Sequence, residues 1–390
     1  MPYPDPPARK PADPRFCTGP ARKRPGWSAD ALTGALLGRS HRSADAQERL
    51  NAVIARSRGV LGIPDSHRVA ILPASDTGAF EAALWSLLGA RGVDVLAWDG
   101  FGRTWLRDVV DQLDLDGVRV LEAPDGALPD LTAVDAGRDV VFPWVGTTTG
   151  VMVPDARWIA PDRAGLTICD ATSAAFAVEL PWDRLDVATW SWQKVLGGEA
   201  QHGMIALSPR AVARLATHTP PWPVPKVFRL AEQGRVKDAL FAGATLNTPS
   251  MLCVEDALDA LAWAESLGGL PALRARAEAN RAVVAEWVAA RAWLDFLAAD
   301  PATQAPTSLC LRPVDPWIRR HGEPEQRRLI QRMADLIAGH GAGYDLMGHR
   351  DAPPTLRIWG GATVDPDDVA ALLPWLDWAF EYLKAEHGVE

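Results

Sequence analysis

Short apolar runs that alternate with helical segments between residues 68 and 192 constrain the fold most. Each run is rich in β-branched or aromatic residues, and the segments after the first two have helical character. Strands that alternate with helices are typical of an α/β protein whose mostly parallel sheet is covered by helices on both faces. The predicted strands are 68–73, 93–98, 118–121, 139–145, 166–170 and 184–192, and the predicted helices are 45–60, 79–88 and 104–113.

The pattern changes near residue 250. Val254, Leu258 and Leu261 have the i, i+4, i+7 spacing of an amphipathic helix, and two glycines follow at 268–269. Further helices are predicted at 271–290, 325–340 and 365–385, with strands at 308–312 and 355–359. In a chain of 390 residues, this change predicts more than one domain. The prediction is an N-terminal arm at 1–30, a large domain at 31–255 and a smaller α+β domain at 256–390.

Charge and cysteine content exclude several classes of function. The formal net charge is −9, which argues against a nucleic-acid partner, because a phosphate backbone requires a basic face. The cysteines at 17, 169, 253 and 310 are far apart without a CxxC pair, so neither a zinc site nor a disulfide is expected. No apolar run reaches about 18 residues, and the Pro-rich, charged start does not resemble a signal peptide. A cytoplasmic enzyme without a membrane segment is expected.

Lys194 is the most informative single residue. It stands in Ser-Trp-Gln-Lys-Val-Leu-Gly-Gly (191–198), after an apolar segment and before a glycine pair. A lysine seldom enters apolar surroundings, because burial of its ammonium group is costly. Lysine is also the residue that forms an imine with pyridoxal phosphate (PLP). Taken alone, Lys194 fits a surface lysine in a turn better than a cofactor lysine.

Asp170 ends the predicted strand 166–170, within Cys-Asp-Ala-Thr-Ser at 169–173. A carboxylate beside a pyridine nitrogen keeps that nitrogen protonated, which is the role of an acidic residue in PLP enzymes. A helix cap or a turn is the alternative for an isolated aspartate in this position.

The segment Ser75-Asp76-Thr77-Gly78 lies between a predicted strand and a predicted helix. Free N–H groups at the start of a helix, together with hydroxyl groups, bind phosphate. The segment matches neither a Walker loop nor GxGxxG, so a nucleotide is not implied. It also fits an ordinary helix start. Because the carboxyl ends of parallel strands meet in one crevice, this segment, Asp170 and Lys194 together predict one cofactor site.

Two His-Arg pairs and a strand arginine suggest that the substrate carries anions. His41-Arg42 lies in a Ser-flanked loop, His349-Arg350 lies in a second loop, and Arg357 follows in a predicted strand. A forked guanidinium binds carboxylate or phosphate with two hydrogen bonds. A single His-Arg pair is often only a solvated surface pair. Together these residues suggest a substrate with both a carboxylate and a phosphate.

With these motifs the chain resembles the phosphoserine aminotransferases, which are class V, fold-type-I PLP-dependent enzymes. The likeness runs from about Phe16 to Trp359 and includes FCTGPARKRPGW, SHRS, CDATSAAF, SWQKVLGG, NTPS (247–250) and GHR followed by LRI. The resemblance implies a large domain with a seven-stranded type of sheet and a smaller C-terminal domain. It also implies a homodimer with shared active sites and small-molecule substrates.

The resemblance also implies roles for single residues. Lys194 should hold PLP covalently and act as the catalytic base, and Asp170 should pair with the ring nitrogen. Phe101, in preference to Trp105, should stack on the ring. The cofactor phosphate should be bound by Ser75, the backbone of Asp76 and Thr77, Gln193, and Asn247 and Thr248 of the second subunit, while Thr147 contacts the ring region. The substrate phosphate should be bound by His41, Arg42, His349 and Arg350, and the α-carboxylate by Arg357; no metal is expected.

The reaction implied is amino transfer between L-glutamate and 3-phosphohydroxypyruvate, which gives O-phospho-L-serine and 2-oxoglutarate in serine biosynthesis. Some similar enzymes also process a phosphorylated intermediate of pyridoxine biosynthesis. The alternative is another class V enzyme of the alanine–glyoxylate type, in which His41, Arg42, His349 and Arg350 would have no role. A cysteine desulfurase would need a mobile catalytic cysteine, which no obvious loop motif supplies. A regulatory protein on the same fold is a further alternative, because fold alone does not fix function.

Overall fold

A seven-stranded sheet forms the centre of the protein in the computed structural model, which describes residues 3–389. The strands are β1 (Arg68–Pro73), β2 (Val93–Ala97), β3 (Val118–Glu122), β4 (Asp139–Pro143), β5 (Val145–Gly146), β6 (Val151–Met152), β7 (Thr167–Asp170), β8 (Val187–Ser191), β9 (His202–Leu207), β10 (Ala231–Glu232), β11 (Arg235–Val236), β12 (Leu294–Phe296), β13 (Ser308–Pro313) and β14 (Leu356–Trp359). The central sheet has the order β1-β9-β8-β7-β4-β2-β3. Only β9 is antiparallel to its neighbours within this sheet.

Helices cover both faces of this sheet. Every residue of β2, β4, β7 and β8 is buried, as expected for parallel strands between two helical layers. Alternate residues supply two separate cores: Val141 and Ile168 pack on one face, and Val140 and Cys169 on the other. The helices are α1 (Ala44–Leu61), α2 (Ser75–Leu87), α3 (Gly100–Arg107), α4 (Pro209–Thr217), α5 (Met251–Leu267), α6 (Leu270–Ala289), α7 (Pro316–Arg319), α8 (Glu323–Gly339) and α9 (Pro366–Glu386). The predicted α/β fold class is confirmed.

Several elements were not predicted from the sequence, among them α4 and β12, and two differences lie next to the candidate phosphate segment. The helix expected from residue 79 begins at Ser75, so the candidate phosphate segment is itself the first turn of α2. Strand β9, which was not predicted, lies between β1 and β8. It starts with His202-Gly203, and neither residue is a strong strand former, which hid the strand in the sequence.

The C-terminal part carries a second, antiparallel sheet of order β12-β13-β14, with α6, α8 and α9 nearby. The N-terminal segment lies against α9: the Trp375 indole donates to the carbonyl of Arg9 (2.8 Å) and that of Trp378 to the carbonyl of Pro4 (3.0 Å). The predicted division between residues 255 and 256 falls within α5. The three-part domain division stays a prediction. Among the described residues, no helix has the length and apolarity needed to cross a membrane.

Candidate active site

The first turn of α2 presents unpaired backbone donors to a cavity. Ala74 and Ser75, just before and at the start of the helix, have φ angles of 64° and 53° in the left-handed region, which non-glycine residues rarely adopt. No side chain caps this helix. The N–H groups of Asp76 and Thr77 have no hydrogen-bond partner among residues 3–389. A helix start of this kind binds anions.

Two glycines allow α2 to approach the sheet this closely. A Cβ atom on Gly78 would lie 2.2 Å from the carbonyl oxygen of Pro73, and one on Gly203 would lie 2.1 Å from the carbonyl oxygen of Ser75. Any larger residue at either position would push the first turn of α2 away from β1 and β9. The sequence Ser-Asp-Thr-Gly therefore fixes where the open N–H groups point.

The cavity has a volume of about 220 Å³. It lies at the carboxyl ends of β7 and β8, where ligands bind in open α/β sheets. Most of the predicted cofactor residues line it: Ser75, Asp76, Thr77, Phe101, Thr147, Asp170, Gln193 and Lys194. Gly19 and Thr172, which the sequence reasoning missed, and Trp105, which it ranked behind Phe101, line it as well.

Lys194 is the one buried lysine among the six of the chain, all of which lie within residues 3–389. Its side chain forms no ion pair with any described residue, and its Nζ lies 5.8 Å from the centre of the Trp359 ring. Burial, and then the nearby Arg357 guanidinium, lower the pKa of the Lys194 amine to about 8. An amine with such a pKa is readily deprotonated near neutral pH, as a nucleophile or general base requires.

Asp170 is held in one orientation by two donors. Its Oδ2 accepts a hydrogen bond from the Trp105 indole (3.0 Å), and its Oδ1 accepts one from the Thr172 backbone N–H (2.9 Å). The residue is only 8% exposed and lines the cavity. No Lys, Arg or His side chain of residues 3–389 pairs with it. A buried carboxylate without a cation is a site for a positively charged group of a ligand.

Residues from β14 and the loop before it border the cavity. The rings of Phe101 and His349 lie 5.6 Å apart, and Nη1 of Arg357 donates to the carbonyl oxygen of Thr147 at 3.5 Å. Burial, and then Arg357, lower the pKa of His349, so its ring is neutral near pH 7. Arg357 and His349 therefore contact residues that line the cavity, and their substrate-binding roles stay predictions.

Other predicted residues are not among those that line the cavity. Arg350 is 87% exposed and lies beside Asp351 rather than in the cavity. His41, Arg42, Asn247 and Thr248 are likewise not part of its lining. The 247–250 segment is nevertheless tied to the sheet near α2, because the Ser250 N–H donates to His202 Nε2 at 3.3 Å. The roles of these residues stay predictions.

The residues of the cavity fit PLP. The open N–H groups of Asp76 and Thr77 suit its phosphate, the Asp170 carboxylate suits a protonated ring nitrogen, and Lys194 suits its aldehyde. Gln193 Oε1 and Thr172 Oγ1 are buried at the cavity and have no hydrogen-bond partner within residues 3–389. Unsatisfied buried polar atoms are rare in folded proteins, so a polar ligand is expected here.

Comparison with known proteins identifies the family. No family model matches the chain. A phosphoserine aminotransferase of Methanosarcina mazei is 49% identical over 378 residues, which cover 97% of this chain and 100% of that protein. The phosphoserine aminotransferase of Methanosarcina barkeri is also 49% identical, with the same coverage of both chains. The chain belongs to the phosphoserine aminotransferase family. The predicted family and the predicted enzyme class, an aminotransferase, are confirmed.

Solved structures share the fold. A PLP-bound phosphoserine aminotransferase from Trichomonas vaginalis superposes with a TM-score of 0.74 at 16% identity, over 93% of this chain and 99% of its own. A ureidoglycine–glyoxylate aminotransferase from Bacillus subtilis superposes with a TM-score of 0.76 at 17% identity, over 97% and 95% of the two chains. The second comparison shows that the same fold serves aminotransferases with different substrates.

Proposed function

We propose that the protein uses PLP to transfer the amino group between L-glutamate and 3-phosphohydroxypyruvate, giving O-phospho-L-serine and 2-oxoglutarate. The observation that supports this most strongly is the buried, unpaired Lys194 in one cavity with Asp170 and the open N–H groups of α2. The cofactor predicted from the sequence is PLP, which is bound in a solved relative of the same fold. The family relationship at 49% identity supports the phosphorylated amino acid as substrate.

In this proposal Lys194 moves the proton. When bound, PLP supplies an electron sink for the electron pair left at the substrate Cα. The Lys194 amine, with its pKa of about 8, is neutral in about a tenth of the molecules at pH 7, far more than a lysine with an ordinary pKa. It takes the proton from Cα as a general base and later returns one as a general acid. Because both half-reactions use this amine, ping-pong kinetics follow.

The other side chains of the site bind and orient the cofactor and the substrate. Asp170, fixed by Trp105 and Thr172, would pair with the ring nitrogen of bound PLP and keep it protonated. Phe101 would stack on the cofactor ring as the sequence predicts, and it lines the cavity together with Trp105. Arg357 binds the substrate carboxylate.

The substrate phosphate is assigned to four residues. His349 and Arg350 bind it together with His41 and Arg42, while Asn247 and Thr248 reach the cofactor phosphate of a second copy. These assignments imply a homodimer with shared sites, and we propose that it acts in the cytoplasm. A role in serine biosynthesis follows from the proposed reaction.

Acceptor choice tests the proposal. The purified protein with PLP and glutamate is offered 3-phosphohydroxypyruvate, glyoxylate and pyruvate, and 2-oxoglutarate is measured for each. We expect kcat/KM to be highest for the phosphorylated acid. A preference for glyoxylate would instead support the alanine–glyoxylate type, and bound PLP without turnover of any acceptor would support a regulatory protein. The Lys194→Ala variant should lose turnover, while Lys226→Ala, at an exposed lysine, should keep it.

A further inference from the structure

Asp76 is a carboxyl group that the proposed reaction does not use. It is the second residue of α2 and only 6% exposed. Both of its carboxyl oxygens are buried, and neither accepts a hydrogen bond from a described residue. It lines the cavity at the helix start whose N–H groups are assigned to a phosphate. An ionised carboxylate in this place would repel that phosphate.

The neighbours of Asp76 disfavour its charge. Asp170 lies close by on β7 and opposes a charge on Asp76, while the nearby hydroxyl groups of Thr172 and Thr189 favour that charge to a smaller extent. Burial, and then Asp170, raise the pKa of Asp76 well above its usual value. Two neighbouring buried carboxyl groups do not both ionise readily, because each charge opposes the other.

The other titratable groups near Asp76 do not supply a compensating charge. Cys169 on β7 is buried, and Asp76 and Asp170 raise the pKa of its thiol further. Lys194 lines the same cavity and its charge is favoured slightly by Asp76, but the two side chains form no salt bridge. On β9, His202 is buried, and burial lowers its pKa to about 4, so this ring is neutral. Within residues 3–389, no cation lies within salt-bridge distance of the Asp76 carboxyl group.

We propose that Asp76 is a positioning residue that keeps its proton and donates a hydrogen bond to Asp170, so that the two carboxyl groups share one proton and one negative charge. This inference rests on the proposed PLP site. No proton leaves the pair: the bond from hydrogen to Asp76 stays intact while Asp170 accepts it as an ionised carboxylate. The arrangement keeps Asp170 ionised toward the ring nitrogen and leaves the N–H groups of α2 free for the phosphate.

Infrared spectroscopy tests the protonation state directly. At pH 8 the protein should show the carbonyl stretch of an un-ionised carboxylic acid, and Asp76→Asn should remove that signal. Glu81→Gln is the matched control on the same helix: burial, and then Asp108, raise the pKa of Glu81 to about 6, so it is ionised at pH 8. A wild-type spectrum without this signal, or a signal that survives Asp76→Asn, would overturn the proposal. This readout needs no cofactor, so its outcome is independent of the proposed function.

Cofactor affinity tests the positioning role. Asp76→Asn keeps a neutral side chain of the same shape that still donates, so PLP should bind within about 3-fold of wild type, whereas Asp76→Ala should bind about 10-fold more weakly. Affinity is measured by titration of cofactor-free protein with PLP. If Asp76 were ionised, Asp76→Asn would remove a negative charge and bind the anionic cofactor more tightly, which would contradict the proposal. Wild-type affinity of Asp76→Ala would also contradict it, while failure of wild-type protein to bind PLP would refute the proposed function instead.

Discussion

Replacement of Lys194 by methionine should stabilise the cofactor-free protein. Lys194 is 8% exposed, and burial with Arg357 nearby lowers the pKa of its amine from 10.5 to about 8. At neutral pH the folded protein therefore holds a charged amine where the neutral form is favoured. One pKa unit corresponds to about 1.4 kcal/mol, so the shift amounts to about 3 kcal/mol of unfavourable free energy. Methionine has similar length without the charge.

The pH dependence of this stability difference follows from the number of protons that the folded and unfolded chains bind at Lys194. Between the folded pKa of about 8 and the unfolded pKa of 10.5, the unfolded chain binds more protons at Lys194 than the folded one. The unfolding free energy of the wild type should therefore rise with pH in this window, relative to the variant. The gain in unfolding free energy from Lys194→Met is therefore largest below pH 8 and disappears as the pH approaches 10.5.

Urea unfolding of cofactor-free protein from pH 7 to pH 10 measures this difference. At pH 7 the midpoint of Lys194→Met should exceed that of the wild type by an amount equivalent to about 3 kcal/mol, and the gap should shrink as pH rises. Lys226→Met, at an exposed lysine, is the control and should show no such trend. A variant that is less stable than wild type at pH 7, or a gap that does not change with pH, would refute the reasoning.

Three further substitutions test the architecture around the cavity. Trp105→Phe removes the indole N–H that Asp170 accepts, and PLP should bind about 10-fold or more weakly in a titration, since hydrogen bonds to charged groups are strong. Gly78→Ala forces a Cβ against a backbone oxygen and should lower the unfolding free energy by about 1–3 kcal/mol. Gly59→Ala, in the last turn of α1 where a Cβ meets no other atom, should raise the unfolding free energy slightly. Equal effects of the two substitutions would contradict the close approach of α2 to the sheet. Arg22→Met removes the guanidinium that pairs with the buried Asp368 carboxylate on α9. It should lower the free energy of unfolding, measured in urea, by about 3–5 kcal/mol. An unchanged midpoint would show that the N-terminal segment does not depend on this ion pair.

The sequence predicts most of the sheet because each strand is a short apolar run bounded by breakers. Strands β1 and β4 start at the predicted residues, and α8 and α9 lie within two residues of their predicted bounds. Strand β9 was missed because His202 and Gly203 hide its start and because its antiparallel direction depends on pairing with β1 and β8. Pairing between distant segments leaves no local signal.

The site residues that could be predicted from the sequence are those that lie at the ends of strands. Lys194, Asp170 and Ser75 follow or end strands, and their meeting in one cavity follows from sheet topology. The bond from Trp105 to Asp170 could not be predicted, because it depends on how α3 is rotated against β7. The placement of Gly19 beside Lys194 depends on a contact between segments 175 positions apart.

The most direct test of the central claim, that Lys194 carries the cofactor, is to reduce the PLP-loaded protein with borohydride and map the modified lysine by mass spectrometry. Reduction makes the bond between a lysine amine and the cofactor aldehyde permanent. We predict the pyridoxyl group on the peptide with Lys194 and on none with the exposed or half-buried lysines at 10, 23, 226, 237 and 384. A modification confined to another lysine, or none on a protein that binds PLP, would contradict the account.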